Sequence, residues 1–534
     1  MTFSLLAGLG CSDGGGSPGD AGVDAFGVGD AAVLGGSCAS APGESFDPLA
    51  TYVAPPHAST VMVTTVADSG AGSLRAAVAT GGVVGFSSSL AGMTITLGSP
   101  IEMGPSVIVD GSGARGLVID AAQKGGAFHF NGDAPTKLGL FALIIKNGHT
   151  MGSGGAISVN GGAVELEVGG VRFESNVAGE GGAIRAGYRS AQVFIHDSVF
   201  VGNDGSIANN GFSGGAVSAN GGNLHVLRCR FESNIGTTSG AVYAIHANPV
   251  IEDSVFIKNK SAGQLGSGAF FADGGGPGDY TNGDQTPGEI TLRRSLFIQN
   301  RGAGDDSGGG ELYAYPPDTV TVEGCTFRDN ESNPGRAGAL FIHADKVVMV
   351  TKTAFIDNHA TGSGGAIWAD GSATYTFENT LFSGNKCDTD LGGALRMNIS
   401  DQAKLRISSS TFVDNTATGN GALWLPGVRD VHVTNSIFAN NTGRSGAQQV
   451  NFPITDDGGN LEWPDPRTMS TLAKSTIADP MLAALSFDQG SWVRAPGAAA
   501  IDQAVLPAPL TDQRGARRDA KPDVGSYEHG ATCQ

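Results

Sequence analysis

The stretch GGAIWADGSATYTFENTLFSGN, residues 364–385, decides the fold. A Gly-Gly-Ala turn opens it, an alternating segment follows, and Phe-Ser-Gly-Asn closes it. Close variants recur along the chain. Phe-x-x-Asn closings begin at Phe173, Phe200, Phe231, Phe256, Phe297, Phe327, Phe355, Phe382, Phe412 and Phe438, at intervals of 27, 31, 25, 41, 30, 28, 27, 30 and 26 residues. Ile144 and Asn147 of "IIKN" hold the same places one unit earlier. Self-similarity at a period of roughly 20–50 residues marks a stacked-repeat architecture.

Each unit reads as strands. Five and seven residues before the Phe lie mostly apolar side chains, such as Ile195 and Val193, Val322 and Val320, Ile407 and Leu405. Two before it sits a small residue: Ser198, Cys229, Ser254, Ser295, Cys325 or Thr353. Spacing by two is strand spacing, and the change of parity marks a corner. Each unit therefore supplies three short strands separated by turns. One unit cannot bury its apolar face alone, whereas a stack of units can. A helical solenoid would need a 3.6-residue period and much less glycine. Crossovers between parallel strands of one sheet are right-handed. The expected fold is all-β: a right-handed, single-stranded parallel β-helix of about 13–14 coils.

The closing asparagines recur at one corner of every coil. Asn176, Asn203, Asn234, Asn259, Asn300, Asn330, Asn358, Asn385, Asn415 and Asn441 are expected to stack as a structural ladder. Asn carries donor and acceptor together and tolerates left-handed backbone. The phenylalanines are expected to form a core stack.

Composition narrows the class. The chain has 534 residues and 84 glycines with no Gly-X-Y period, which excludes collagen. Its net charge is −19 and no Lys/Arg block occurs, so nucleic acid is not an expected partner. None of the 6 cysteines lies in a CxxC pair and no HExxH occurs, so no metal site is expected. Cys229 and Cys325 share a column three coils apart, about 14 Å, too far for a disulfide. Cys38 and Cys533 flank the folded region, and sequence leaves their pairing open. No apolar run reaches the roughly 18 residues of a membrane-spanning helix.

The GGA(I/V/L) turn with Phe-x-x-Asn resembles the repeats of polymorphic outer-membrane proteins and other bacterial surface β-helices. It covers residues 144–441. The resemblance implies a pectate-lyase-like solenoid. "VTTVADSGAGSLRAAVAT", residues 63–80, resembles the opening segment of that class, with a capping helix over 74–79 and first coils within 59–143. "PGAAAIDQA" (496–504) and "TDQRGARRDAKPDVGSYE" (511–528) resemble the closing motif of choice-of-anchor Q domain proteins. Residues 442–534 are then last coils and a C-terminal cap. Asp512, Arg514, Arg517, Asp523 and Glu528 suit an ion-paired polar cap over the last coil. The first 11 residues end in Gly-Leu-Gly-Cys and resemble an atypical lipoprotein signal with Cys11 acylated. A Gly/Asp/Ala-rich flexible linker follows over 12–58. An exported protein is implied, either an outer-membrane lipoprotein or a cell-surface or extracellular protein of a Gram-negative bacterium. The membrane would be reached only through Cys11, and a monomer is expected.

Alignment on the Ala of Gly-Gly-Ala gives an inward column and, one position on, an outward column. The inward one is Ile157, Ile184, Val217, Val242, Phe270, Leu312, Leu340, Ile367, Leu395 and Leu423. The outward one is Ser158, Arg185, Ser218, Tyr243, Phe271, Tyr313, Phe341, Trp368, Arg396 and Trp424. Tyr243, Phe271, Tyr313, Phe341, Trp368 and Trp424 form a candidate binding stripe of roughly 29 Å. Polar residues Asp273, Tyr315, His343, Asp370 and Asn398 run beside it. Flat aromatics flanked by hydrogen-bonding groups suit a polysaccharide, and exposed apolar stripes mark binding sites. Alternatively, the stripe is covered by the 41-residue insertion, by the tail over 443–500 or by the linker. Tyr315, His343, Asp370 and Arg396 are the candidate catalytic set, but they match no motif of a polysaccharide-active enzyme. Asp305, Asp306 and the Asp279/Asp284 loop could hold calcium, but they lack ordered calcium-ligand spacing; solvated loop acids and no cofactor are the expectation. The expected function is non-catalytic surface adhesion, to glycan or to another surface protein. The alternatives are a polysaccharide lyase, hydrolase or epimerase, and a purely structural envelope protein.

Overall fold

The computed structural model describes residues 41–533 except 133–134, 162–163, 188–190, 209–211, 264–265, 275–287, 304–306, 315–318, 390, 400–401, 444–449, 451–453 and 466–471. They build a right-handed parallel β-helix of about 12 turns. The expected 13–14 coils are slightly too many. One representative coil runs Ile367–Gly371, Thr374–Glu378, Leu381–Ser383, Lys386–Cys387. The first two strands join a 25-stranded sheet, the third a 15-stranded sheet and the fourth a 9-stranded sheet. Each full coil therefore has three sheets, the largest fed by two successive strands. In two coils those strands merge into Val217–Leu227 and Val242–Glu252.

Periodicity explains the interior. The closing phenylalanines pair in register from Phe173 to Phe438 and stack face to face at 4.6–5.2 Å. All of them are fully buried, each contributing about 1.5–3 kcal/mol of apolar burial. The asparagines three residues on form a buried ladder. From Asn203 to Asn415 each amide donates to the next rung's amide oxygen and to a phenylalanine carbonyl, while the Asn176 amide donates to Asn203 Oδ1 and Ile145 O. A second ladder escaped sequence reading. Small residues before the Phe accept from the previous rung's backbone, as Ser254 Oγ does from Cys229 N and Ser295 Oγ from Ser254 N.

The Gly-Gly-Ala turn is a steric requirement. A Cβ on Gly365 would lie 2.1 Å from Gly393 O, and one on Gly338 2.2 Å from Gly365 O. The same clash recurs at Gly155, Gly182, Gly215, Gly240, Gly268, Gly308 and Gly393, so rungs stack only where this column lacks side chains.

At the N-terminal end Ser73 caps the helix Leu74–Thr80 by accepting from Ala76 N. The helix buries Leu74, Ala77 and Val78. Two further segments cover the outer face of the phenylalanine sheet. Ala41 and Phe46 pack on Val255, Ile257, Leu296 and Ile298. Ala500, Val524 and half-buried Trp492 pack on Ala354, Ile356, Leu381, Ile437 and Leu461. Residues 41–57, expected within a flexible linker, thus form a docked strap. The closing motif is ion-paired as expected, but it lies on the flank instead of over the last coil. Arg518 donates to Asn379 and Glu528, and Ser526 N bonds Thr411. Arg514 pairs with Asp512 and Asp488. Buried Arg518 takes the role expected of Arg517, which is exposed. The sheet's outer apolar residues account for this placement, because they need cover.

Cys229, Cys325 and Cys387 are free and buried. Burial pushes the Cys325 thiol up to about 12, so it is inert. Cys533 is disulfide-bonded. Cys11 and Cys38 lie outside the described residues.

Candidate functional site

The stripe forms from cross-rung pairing. Tyr243 pairs with Phe271, Phe341 with Trp368, and Trp368 with Arg396, which in turn faces Trp424. One coil departs from the sequence alignment. Its turn reads Gly308-Gly309-Gly310, with Gly309 in the place of Ala. Gly310, not Leu312, follows Phe270, and Glu311, not Tyr313, follows Phe271. Leu312 instead pairs with Ala272, and Tyr313 with Asp273 and His343.

The stripe lies outside the coil but under cover. Tyr243, Phe271, Glu311, Phe341 and Trp368 are 1–8 % exposed. Trp368 stacks on Phe341 at 4.8 Å. The Arg336 guanidinium sits 4.7 Å above the Trp368 ring and 5.7 Å above Phe341, a cation–π lid. Ala337 completes the cluster. The cover at Trp368 is thus the turn that enters the neighbouring rung, not a distant tail. Trp424 remains half-buried. Arg396 donates to Ser363 Oγ and closes the stripe from the other side.

The polar column two residues further along reads Asp273, Tyr313, His343, Asp370 and Asn398, in continuous register. Tyr315, expected in this column, lies outside the described residues, as do Asp279, Asp284, Asp305 and Asp306. Of the four catalytic candidates the structure brings His343 and Asp370 into contact, with His343 Nδ1 2.5 Å from Asp370 Oδ1. Asp345 Oδ2 lies 3.8 Å from His343 Nε2. Ser372 orients Asp345 through its N–H and hydroxyl. The hydroxyl of buried Tyr375 donates to Asp370 O and fixes the backbone there. The Asp370 hydrogen bond and surrounding carboxylates hold the His343 imidazole above its usual range, against the opposing effect of burial. Burial raises the Asp273 carboxyl and lowers His246 on the same flank. Among the described residues no group of three or more His, Cys, Asp or Glu is arranged to hold a metal ion.

Chemically this is a half-buried ledge. It presents a phenol, an imidazole, carboxylates and an amide at successive rungs, about 4.8 Å apart. Sequence spacing located its His and Asp members. The signal for Tyr313 was the third glycine at Gly310, which shifts the reading frame of that coil by two.

No helix among the described residues is long and apolar enough to cross a membrane. Neither a curated protein nor a solved structure matches the chain. The family model described as "Right handed beta helix region" matches residues 280–451, roughly a third of the chain, and this match agrees with the architecture seen throughout the described body.

Proposed function

We propose that this protein is a non-catalytic, exported β-helix that contacts polysaccharide along the ledge Asp273–Tyr313–His343–Asp370–Asn398. One observation carries the non-catalytic part: both ring nitrogens of His343 face carboxylates, Asp370 and Asp345. A general base needs a free imidazole nitrogen at its operating pH. Here carboxylates on both sides raise the ring's pKa and favour its charged form, which suits a positioned hydrogen-bonding group more than a base. The half-buried Tyr313 ring supplies a stacking face, and its neighbours supply partners for hydroxyls. The disulfide at Cys533 supports export, because such bonds persist in oxidising compartments. Attachment through an acylated Cys11 remains part of the same proposal.

Retention on immobilised neutral and acidic polysaccharides, with chain cleavage followed in parallel, tests the reading. Retention without cleavage is expected, weakened about tenfold by Tyr313→Ala, equivalent to ~1.4 kcal/mol. Cleavage abolished by His343→Gln would establish an enzyme instead. No retention across the panel would leave a structural envelope role.

The clamp also predicts a pH dependence. A group whose folded pKa is raised stabilises the fold fully below its unfolded value, about 6.5 for His. That contribution disappears as pH rises through the folded value. His343→Gln should therefore lower the melting temperature at pH 5 and leave it nearly unchanged at pH 9. An equal loss at both would show that the imidazolium contributes nothing.

A further inference from the structure

The strap over residues 41–57 is held by more than apolar contact. At one end Phe46 and Ala41 cover Val255 and Leu296, and Arg230 donates to the carbonyls of Glu44 and Phe46. At the other, His57 Nδ1 lies 3.0 Å from Asp110 Oδ2 and its ring packs, tilted, 4.5 Å from Phe141. Between them Tyr52 wedges into a notch. A Cβ on Gly170, at a φ of +62°, would lie 2.0 Å from the Tyr52 ring, so the notch exists only because that corner is glycine.

The floor of the notch is His196, whose ring centroid is 6.1 Å from that of Tyr52. Its two nitrogens face Asp197 at 2.8 Å and Glu167 at 3.3 Å. Arg228 grips Asp197 through two bonds of 2.6 and 2.8 Å. Phe194 stacks on His196 and carries His225, itself 3.2 Å from Glu252. The charged groups facing the wedge are therefore Asp197, Glu167 and Asp110 against Arg228 and the His196 ring. Burial opposes the charge on His196, yet its two carboxylate partners hold its pKa above the usual value. The buried Tyr52 hydroxyl finds no hydrogen-bond partner among the described residues. The wedge is thus seated by its ring and not by its hydroxyl.

We propose that Tyr52 on His196 is a protonation-dependent latch for the strap, closed while the imidazole is charged and loosened when it is neutral. A charged imidazole attracts the aromatic face and neutralises Glu167. A neutral one leaves the phenol among carboxylates. Arg228 keeps Asp197 paired in either state, so the solenoid itself stays folded and only the strap responds. Its release uncovers Val255, Ile257, Leu296 and Ile298, an apolar patch facing outward on the phenylalanine sheet.

Hydrogen exchange of the full chain between pH 5 and pH 9, corrected for intrinsic rates, tests this. Peptides spanning 41–57 should lose about tenfold protection as pH rises from 5 to 9, while core strands keep theirs. Binding of a hydrophobic dye should rise over the same interval. His196→Gln should leave the strap weakly protected at every pH, whereas His57→Gln should keep the wild-type profile at reduced protection. Strap protection that is flat with pH in the wild type overturns the latch. A pH profile lost in His57→Gln but kept in His196→Gln overturns its assignment to His196. Should His196→Gln fail to fold, the His57→Gln profile and the wild-type dye response still decide.

Discussion

Asn330→Ala should cost roughly 3–6 kcal/mol. The Asn330 side chain accepts from the backbone N–H and the amide of Asn300, both at 3.0 Å. It donates to Phe297 O at 2.9 Å and to Asn358 Oδ1 at 3.0 Å. Alanine strands a backbone N–H, a carbonyl and half an amide in a dry corner. Each buried orphan costs about 1–3 kcal/mol, more than the bond itself contributes. Asn330→Asp should be at least as harmful at neutral pH. It keeps the acceptor, but sets a second oxygen against Phe297 O and Asn358 Oδ1. Acidification should relieve part of that loss and none of the alanine variant's. Urea denaturation at pH 5 and pH 7.5 measures both. A loss below about 1 kcal/mol for alanine would mean that water or a local shift replaces the ladder.

Gly365→Ala should be still more severe, above about 4 kcal/mol or failure to fold. The added methyl meets Gly393 O at 2.1 Å and the Lys386 backbone at 2.7 Å. None of these is the end of a flexible side chain, so the rungs must separate locally. Interiors packed to crystal-like density do not absorb such a shift cheaply. Gly104→Ala is the control. Nothing lies within 4 Å of a Cβ there, and its φ is not in the left-handed region. It should change stability by less than about 0.5 kcal/mol. Similar losses for the two variants would remove steric exclusion as the reason for the glycine column.

These two positions also show what the sequence made legible. Stacked repeats present the same problem ten times over, so the Phe stack, the Asn corner and the glycine turn could be read from their recurrence. Features that occur once could not. Gly308-Gly309-Gly310 offers no alanine to align on, and Tyr313 was placed one column away from its true neighbours. The aromatic stripe does point out of the coil, but the turn carrying Arg336 folds over Trp368. Alternation reports only which side of a strand a residue occupies, not whether something lies on top. The straps were missed for a related reason, although a signal existed. Val255, Ile257, Leu296 and Ile298 flank inward phenylalanines in three-residue strands that are apolar throughout. Strands apolar on both faces are covered on both faces. In the catalytic set, His343 and Asp370 meet because they share a column on adjacent rungs, whereas Arg396 belongs to the neighbouring column.

The docked strap also orders events in time. Residues 41–57 are made before any coil, yet their resting places include Phe141, Gly170, Arg230 and Leu296, which are made much later. The solenoid can grow rung by rung through local contacts, which is fast. The strap must wait until coils far along the chain exist, and in that interval Phe46 and Tyr52 are exposed. An emerging chain of this design therefore carries an unsatisfied apolar segment ahead of its coils during synthesis. That segment finds cover only once the middle of the protein has formed, so its protection marks completion of the solenoid's first half.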